Sequence, residues 1–322
     1  MKFEKLGNIA KITSGGTPLT SRREYYDNGT IPWVKTGDLK VRHLKNIPDK
    51  ITKAGLENSS AKIFPVNTVL VAMYGATIGA CSILKTEAAT NQACAAILPT
   101  EKANEEYLYF FLTSIRTFLI NKGVGGGQPN ISATILKEIK IPVPPKPLQI
   151  QIANLLSKAE DLIKQRKESI ELLDKFLEST FYEMFGDPTV GHNLEKVGEH
   201  LILNGGAAFK STDFVDEGIP VIKIGTVNKG FFDTKTLSFL PESFLTNFER
   251  YIIRPGDLLL SLTGTVGKDD YGNACFVTSD YDSYLLNQRV AKINVDEAFL
   301  NLHFVYYLFK FPKFKKLSYK SQ

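Results

Sequence analysis

The sequence predicts an α+β chain of two similar domains, each a mixed sheet with helices, joined by one long coiled-coil helix. Three observations predict it. The first is a repeat. Ile31–Leu39 reads IPWVKTGDL, Phe64–Ser82 reads FPVNTVLVAMYGATIGACS and Thr90–Leu98 reads TNQACAAIL. The blocks return as IPVIKIGTV (Ile219–Val227), IRPGDLLLSLTGTVGK (Ile253–Lys268) and LNQRVAKI (Leu286–Ile293). Positions 31 and 219 lie 188 apart and positions 91 and 287 lie 196 apart, so short insertions separate the copies. The second observation is a run of Leu148 to Phe185 with apolar residues at steps of three and four and no Gly or Pro. The third is a set of short apolar runs bounded by Gly, Pro or Asn, the pattern of strands in a sheet.

Element by element, copy one opens with LGNIAKITSGGTP, which alternates like a strand and breaks at Ser14–Gly15–Gly16. Ile31–Val34, Thr68–Ala72 and Ala93–Leu98 read as strands, and Glu105 to Asn121 as a helix. A glycine tract at 123–127 leads into Gln128–Pro129–Asn130–Ile131–Ser132. The proline-rich ILKEIKIPVPPKP then closes the copy, since proline continues neither a helix nor a central strand. Copy two begins at VGEHLILNGGAAFK and runs to a helix around Leu300–Phe311. The expected division is therefore 1–145, a first domain; 146–186, the spacer helix; and 187–322, a second domain.

In the spacer, Leu148, Ile152, Leu155, Ala159, Leu162, Arg166, Ile170, Leu173, Leu177, Thr180 and Met184 define a seam, with Ile170 and Leu177 one place off strict register. Gly186–Asp187–Pro188 stops it. Some 37 residues would make a rod of roughly 55 Å. The alternative is an amphipathic helix packed on its own domain. No second heptad helix follows copy two, so the seam is expected to be open, and the chain reads as truncated before that helix. Another copy of the same helix could cover it, or another protein, or the product is an unstable relic.

Composition narrows the classes. The 322 residues, 43% hydrophobic and 23% charged, suit two ordinary globular domains. No apolar run reaches the roughly 18–20 residues of a membrane span, and the N-terminus lacks a signal-peptide core. Three cysteines, at 81, 94 and 275, offer neither an even disulfide framework nor a CxxC zinc pair. The expected setting is a reducing cytoplasm. A net charge of +5 fits nucleic acid without demanding it. Local clusters say more: Arg22–Arg23 beside Tyr25–Tyr26, Lys40–Arg42–His43–Lys45, and Lys313–Lys315–Lys316–Lys320, each of which could equally be solvated surface.

Catalytic motifs are missing. The glycine tract lacks the Lys-Ser/Thr of a phosphate loop, and His43, His192, His200 and His303 show no metal-ligand spacing. Pro48–Asp49 with Glu138–Ile139–Lys140 is too scattered for a nuclease site, and Val143–Pro144–Pro145–Lys146 lacks both the polar residue and the aromatic of an adenine-methyltransferase box.

Taken in order, PWVKTGDL, MYGATIG, the NQA block, GGGQPNIS, the KIPVPP closure and the heptad helix resemble the specificity subunit of type I restriction–modification systems, over essentially the whole chain. The resemblance implies two target-recognition domains, each reading half of a split sequence in double-stranded DNA. It also implies helices that dock modification (methyltransferase) subunits, with a restriction (motor–nuclease) subunit as a further partner. The chain would be non-catalytic, with S-adenosylmethionine, ATP and Mg belonging to partner subunits and no cofactor of its own. Self-association through the helix is a further expectation. A silent or recombination-donor fragment without independent activity is the alternative.

For DNA contacts the candidates are Ser14, Gly15, Gly16 and Thr17, where small residues permit close approach. With them go Arg22, Arg23, Lys35, Thr36 and Tyr74, and in copy two Lys210, Ser211, Lys223 and Lys268. Asn91 and Gln92 could read adenine, or could stabilise a turn, since the pair recurs as Asn287–Gln288. Base-reading positions should differ between copies, which favours Arg22–Arg23 and Lys210–Ser211. Gly75 and Gly79, with Gly264 and Gly267, read as backbone necessities. The partner-helix candidates are Leu148, Ile152, Leu155, Leu162, Ile170, Leu173 and Leu177.

Overall fold

Apolar residues at period two are the organising signal of both units. A computed structural model describes residues 2–123, 130–187, 197–264, 270–311 and 314–315, in two compact units, Met1–Glu168 and Ser169–Gln322. The strands of the first unit are β1 (Phe3–Lys5), β2 (Ile12–Ser14), β3 (Ile31–Val34), β4 (His43–Leu44), β5 (Lys50–Ile51), β6 (Ile63–Phe64), β7 (Val69–Ala72), β8 (Cys81–Leu84), β9 (Ala88–Thr90), β10 (Cys94–Ile97) and β11 (Lys140–Pro142). Its helices are α1 (Leu6–Ile9), α2 (Lys53–Glu57), α3 (Glu105–Ser114), α4 (Arg116–Asn121) and α5 (Ala133–Glu138). Helix α6 (Lys146–Phe185) runs on into the second unit. That unit holds β12 (Leu201–Gly205), β13 (Ile219–Ile222), β14 (Ser238–Leu240), β15 (Ile252–Ile253), β16 (Leu258–Ser261), β17 (Ala274–Phe276), β18 (Tyr284–Leu286) and β19 (Val290–Val295). Its own helices are α7 (Ile224–Val227), α8 (Phe244–Asn247) and α9 (Leu302–Lys310).

The duplication is topological. Unit one contains a sheet ordered β2-β10-β7-β8-β4 and another ordered β5-β3-β9-β6; unit two contains β12-β19-β16-β17 and β14-β13-β18-β15. In each, one parallel pair sits among antiparallel neighbours in the second sheet. Trp33 faces Ala89 and Val34 faces Thr90, while Val221 faces Leu285 and Ile222 faces Leu286. These registers carry the same 188- and 196-residue offsets as the sequence blocks.

Alternation explains the layers. Val69 and Val71 point toward Leu6, Leu108, Leu112, Leu119 and Leu136 of the helices. Leu70 and Ala72 point toward Val34, Phe64 and Ala88 of the second sheet, because successive strand side chains take opposite faces. In unit two, Leu258 and Leu260 meet Val305 and Phe309, and Leu259 meets Ile222, Tyr284 and Leu286. Asn104 caps α3 by accepting from the Tyr107 N–H (3.1 Å), and Asn301 caps α9 by accepting from His303 and Phe304.

Three expectations are corrected. The segment LGNIAKITS is not one strand: Leu6 and Ile9, three apart, both enter the helix-side core from the single turn α1, and only Ile12–Ser14 pairs with β10. The helix read as Glu105–Asn121 breaks at Ile115, whose ψ of 13° separates α3 from α4 and lets Leu119 join the same core. The counterpart of Gly79 (φ 74°) is Gly272 (φ 64°), not Gly267. Each precedes its strand by two residues, and the pairing of Val71 with Cys81 matches that of Leu260 with Ala274. Residue 267 itself lies outside the described residues.

Helix α6 is unbroken for 40 residues and fits the coiled-coil reading. Pro147 sits in its first turn, where a missing N–H costs nothing, and Gly186 (φ 70°) ends it in the left-handed conformation. Gln149, almost fully buried, anchors its start. Its amide donates to the Lys102 (3.1 Å) and Pro144 (2.9 Å) carbonyls and accepts from the Asn104 N–H (2.9 Å). The expected seam resolves into two rows that flank the one holding Ala159, Arg166 and Leu173. Ile170 and Leu177 belong with Leu156, Ile163 and Met184 at strict seven-residue spacing, and Leu155 and Leu162 belong with Phe176. Ile152 is committed to the core of unit one, beside the buried Ala153. Leu148 is partly exposed, and Leu155, Leu162, Ile170 and Leu173 are each more than half exposed. Leu177 borders a cleft with Phe181, Tyr307 and Phe311 in unit two.

Because Gln149 satisfies three backbone groups, the one at Pro144 through a buried bond, Gln149→Leu should lower the stability of the first unit by about 1–3 kcal/mol. Urea unfolding monitored at Trp33 measures it; an unchanged midpoint would remove Gln149 from the anchoring role.

Candidate nucleic-acid interface

The parallel pair ends, in each unit, at a turn over which another loop crosses. In unit one the Asn91 N–H donates to the Val34 carbonyl (2.9 Å), and the Gly16 N–H donates to the Thr90 carbonyl (2.9 Å). The buried Trp33 indole donates to the Gly16 carbonyl (3.1 Å), and the Thr17 hydroxyl donates to Gln92 Oε1. In unit two the Asn287 N–H donates to Ile222 (3.0 Å) and the Ala207 N–H to Leu286 (2.8 Å). A Cβ on Gly15 would fall 1.9 Å from the Thr90 carbonyl oxygen, and one on Gly206 would fall 2.4 Å from the Leu286 oxygen. The glycines at this crossing are therefore required by the protein's own backbone.

This crossing gathers Ser14, Gly15, Gly16, Thr17, Lys35 and Thr36 around the Thr90–Ala93 turn. Tyr74 joins them, because the Met73 N–H donates to the Ala93 carbonyl (2.9 Å) and Tyr74 forms an isolated bridge with Asn130. Its ring is exposed. Thr17, Lys35, Thr36, Tyr74 and Gln92 thus share one polar rim, with Gly15 and Gly16 buried beneath it. Asn91 Oδ1 is buried without a hydrogen-bond partner.

Arg22 and Arg23 lie on the following 3-10 turn, Arg23–Tyr25, both exposed. Arg22 contacts Tyr25 Oη and Glu24, each at 3.3 Å. Lys210 and Ser211 occupy the matching turn of unit two, Ser211–Asp213, where Asp213 accepts from the Lys210 N–H (2.9 Å). A basic residue, Arg22 or Lys210, stands just before each turn. Lys223 follows β13 as Lys35 follows β3, whereas Lys268 lies outside the described residues.

The cluster Lys40–Arg42–His43–Lys45 divides. Lys40 and Lys45 are exposed, but Arg42 and His43 are bound inward. The Arg42 guanidinium donates to Ser157 Oγ (2.7 Å) and pairs with Glu160 (3.1 Å) of α6. His43 Nε2 meets Glu106 Oε1 at 2.6 Å, and Lys85 lies 3.5 Å from the same oxygen. Glu106 Oε2, buried without a hydrogen bond, is balanced by Arg42 Nε at 3.7 Å. This network fastens α3 and β4 to α6 and leaves neither Arg42 nor His43 for a phosphate. In the last basic cluster, Lys315 is buried and donates to Asn273 Oδ1 (2.8 Å), and Lys313, Lys316 and Lys320 lie outside the described residues.

Burial pushes the Cys81, Cys94 and Cys275 thiols up to about 12, the behaviour of core side chains rather than nucleophiles. Among the described residues no group of three His, Cys, Asp or Glu is placed to hold a metal ion, and no helix is long and apolar enough to cross a membrane. An open apolar cleft of about 660 Å³ lies between α4 and α5, lined by Phe111, Ile115, Phe118, Ile135 and Ile139, residues separate from the polar rim. Sequence reasoning missed Trp33, although a buried indole N–H must find an acceptor and so points to a nearby backbone crossing.

A twice-built α+β scaffold, with the same loop crossing on each copy and one long, largely exposed helix, is a protein of modular construction. The sequence profile of the type I restriction modification DNA specificity domain matches residues 1–172. The chain belongs to this family of type I restriction–modification specificity subunits. It is 26% identical over 330 residues to the type I restriction enzyme MjaVIII specificity subunit of Methanocaldococcus jannaschii, covering 97% of this chain and 75% of that protein. It is 32% identical over 189 residues to the MjaIX specificity subunit of the same organism, covering 57% of this chain and 43% of that one. In fold it resembles the crystal structure of a type I restriction–modification S subunit from M. genitalium, with a TM-score of 0.56, 15% identity, and coverage of 99% of this chain and 78% of that chain.

Since the crossing leaves no space for a methyl group, Gly15→Ala and Gly206→Ala should each destabilise their own unit by about 1–3 kcal/mol. Limited proteolysis with mass mapping would show cleavage confined to the altered unit. Equal susceptibility of both units would contradict the assignment.

Proposed function

We propose that this chain is the sequence-reading subunit of a type I restriction–modification complex, in which each unit reads one half of a split target in double-stranded DNA. One observation carries the reading: in a member of the specificity family, the same sheet pair and the same loop crossing occur twice in one chain, while the turns beside the rim carry different side chains, Arg22–Arg23 in one copy and Lys210–Ser211 in the other. Shared backbone with different chemistry on those turns is what two readers of different half-sites require. The recognition domains would be 1–145 and 187–322, with 146–186 as the spacer helix between them.

Arg22, Arg23 and Thr17 in the first domain, and Lys210 and Ser211 in the second, are the base-reading candidates, since guanidinium, ammonium and hydroxyl groups match major-groove edges. Lys35, Lys223 and Lys268 would hold phosphates. Helix α6 would dock modification subunits through the rows Leu155–Leu162–Phe176 and Leu156–Ile163–Ile170, an apolar stripe too long to stay in water. Adenine methylation with S-adenosylmethionine, and any ATP- and Mg-dependent cleavage, would belong to those partners, this chain contributing no catalytic group.

Co-expression with a cognate modification subunit, followed by genome-wide mapping of methyladenine, tests the reading. The expected result is a split motif with a fixed gap. A palindrome built from one half-site would show that two copies pair and a single domain reads. Absence of methylation with the chain co-purifying in soluble form would overturn the reading, and failure to co-purify would favour an inactive fragment.

The docking surface has its own test. Joint replacement of Leu155, Leu162 and Leu173 by Asp should abolish assembly with the modification subunit while both units keep their folds by circular dichroism. Assembly at the wild-type level would refute it.

A further inference from the structure

Lys35 and Lys223 occupy equivalent positions, each directly after the first strand of the parallel pair, and the strand beside them fixes a second equivalence. Pro32 faces Lys50 across β3–β5, and Pro220 faces Phe239 across β13–β14. Asp49 is thereby the counterpart of Ser238. Both positions receive the lysine: Lys35 Nζ lies 2.7 Å from Asp49 Oδ2, and Lys223 Nζ donates to Ser238 Oγ at 2.8 Å. Lys223 Nζ also stands 3.8 Å from the Phe214 ring centroid. The geometry repeats; the charge does not. The first unit neutralises its rim lysine with a carboxylate, and the second leaves its lysine cationic against a hydroxyl and a ring face.

We propose that Asp49 is a built-in competitor for DNA phosphate, so that the first unit grips the backbone less firmly than the second. This rests on the DNA-recognition reading above. Phosphate contacts carry no sequence information, so they are the contacts two readers of different half-sites can share, and the repeated lysine fits that role. The Lys35–Asp49 pair is nearly half exposed on both sides, the kind of surface ion pair that holds weakly and yields to a stronger anion. The Asp49 hydrogen bond raises the Lys35 pKa above the ordinary lysine value, consistent with a cation already satisfied. When DNA arrives, Lys35 must either share its ammonium between Asp49 and a phosphate oxygen or leave Asp49 for the phosphate. In either case the carboxylate repels the same backbone, and once freed it collects a cation from solution, offsetting one released from the DNA. Lys223 gives up only a neutral hydroxyl. On this reading the strength of each half's backbone hold is set by the position beside the lysine, independently of the residues that read bases.

The test uses the full-length chain and a random-sequence duplex, with binding followed by fluorescence anisotropy between ~50 and ~200 mM salt. Asp49→Ser should tighten binding roughly threefold and steepen the dependence of log K on log salt by up to about 0.9, the share of one phosphate contact. Ser238→Asp should do the reverse. In a Lys35→Gln background, Asp49→Ser should lose most of its gain. An equal gain with and without Lys35 would show that Asp49 acts only as a general negative charge and would overturn the proposal, as would wild-type affinity and slope in both single variants. If neither the wild type nor any variant binds the duplex at any salt concentration, the DNA-recognition reading itself fails. A chain that binds DNA but ignores position 49 leaves that reading standing and removes only this inference.

Discussion

The rest of each unit depends on one parallel pair of strands. Parallel neighbours cannot be joined by a tight turn; the chain must leave, travel and return in the same direction. Between β3 and β9 that journey supplies the middle of the other sheet, and between β13 and β18 it does so again. The two sheets are therefore folded against each other by the crossover itself. The sheet containing β7 is buried on both faces, by helices on one side and by the second sheet on the other. The same constraint concentrates chain reversals at the carboxyl ends of the pair. There the Ser14–Thr17 loop rests on Thr90, and the Ala207 segment rests on Leu286, with no room for a side chain at Gly15 or Gly206. Open sheets with parallel strands place binding loops at such ends, and here the polar rim is where the topology collects loops.

Helix α6 obeys a different logic. Its start is fixed in unit one by the Gln149 amide and by Arg42 reaching Ser157 and Glu160. Its last turns are fixed in unit two by Phe181 against Phe304, Leu308 and Phe311. Residues 161–179 between are exposed on every face, including Leu162, Ile163, Ile170, Leu173 and Phe176. A helix of this length draws most of its stability from packing an apolar face rather than from propensity. The two apolar rows, with Leu173 between them, leave such a face uncovered, and the partner-docking reading accounts for them.

Much of this was legible in the sequence, for identifiable reasons. The repeat, the strands Ile31–Val34 and Val69–Ala72, and the uninterrupted helix announce themselves through period and punctuation, which are local. What escaped notice is long-range or ambiguous. Leu6 and Ile9 fit a strand pattern and a helical turn equally well, and only the α5 surface decides between them. The break at Ile115 has no Gly or Pro to mark it. Arg42 and His43 resembled a phosphate-binding cluster because their partners, Ser157 and Glu106, stand 115 and 63 positions away. In the sequence Gly15 and Gly16 suggest a close approach to a ligand, whereas the atoms that a Cβ there would meet belong to Thr90 and Ser60. Glycine in a loop signals a close approach without saying to what.

Internal duplication then becomes an analytical tool, since each unit serves as the control for the other. Features identical in both, such as the crossing glycine and the Asn cap of the packing helix, are demanded by a shared fold. Features that keep their chemistry but change their surroundings are more informative. Arg22 and Lys210 both open a 3-10 turn, yet Arg22 is held by Tyr25 and Glu24, whereas the Lys210 backbone is capped by Asp213. Lys35 and Lys223 share a place and differ in the charge beside them. A protein that reads two different half-sites with one fold must separate what grips from what discriminates: grip is sequence-independent and tolerates repetition, while discrimination requires difference. The rim divides along that line, with lysines at matched positions and unmatched groups on the neighbouring turns. Under the proposed function, that division makes the Arg22–Arg23 and Lys210–Ser211 turns, rather than the repeated Asn-Gln pair, the candidates for specificity.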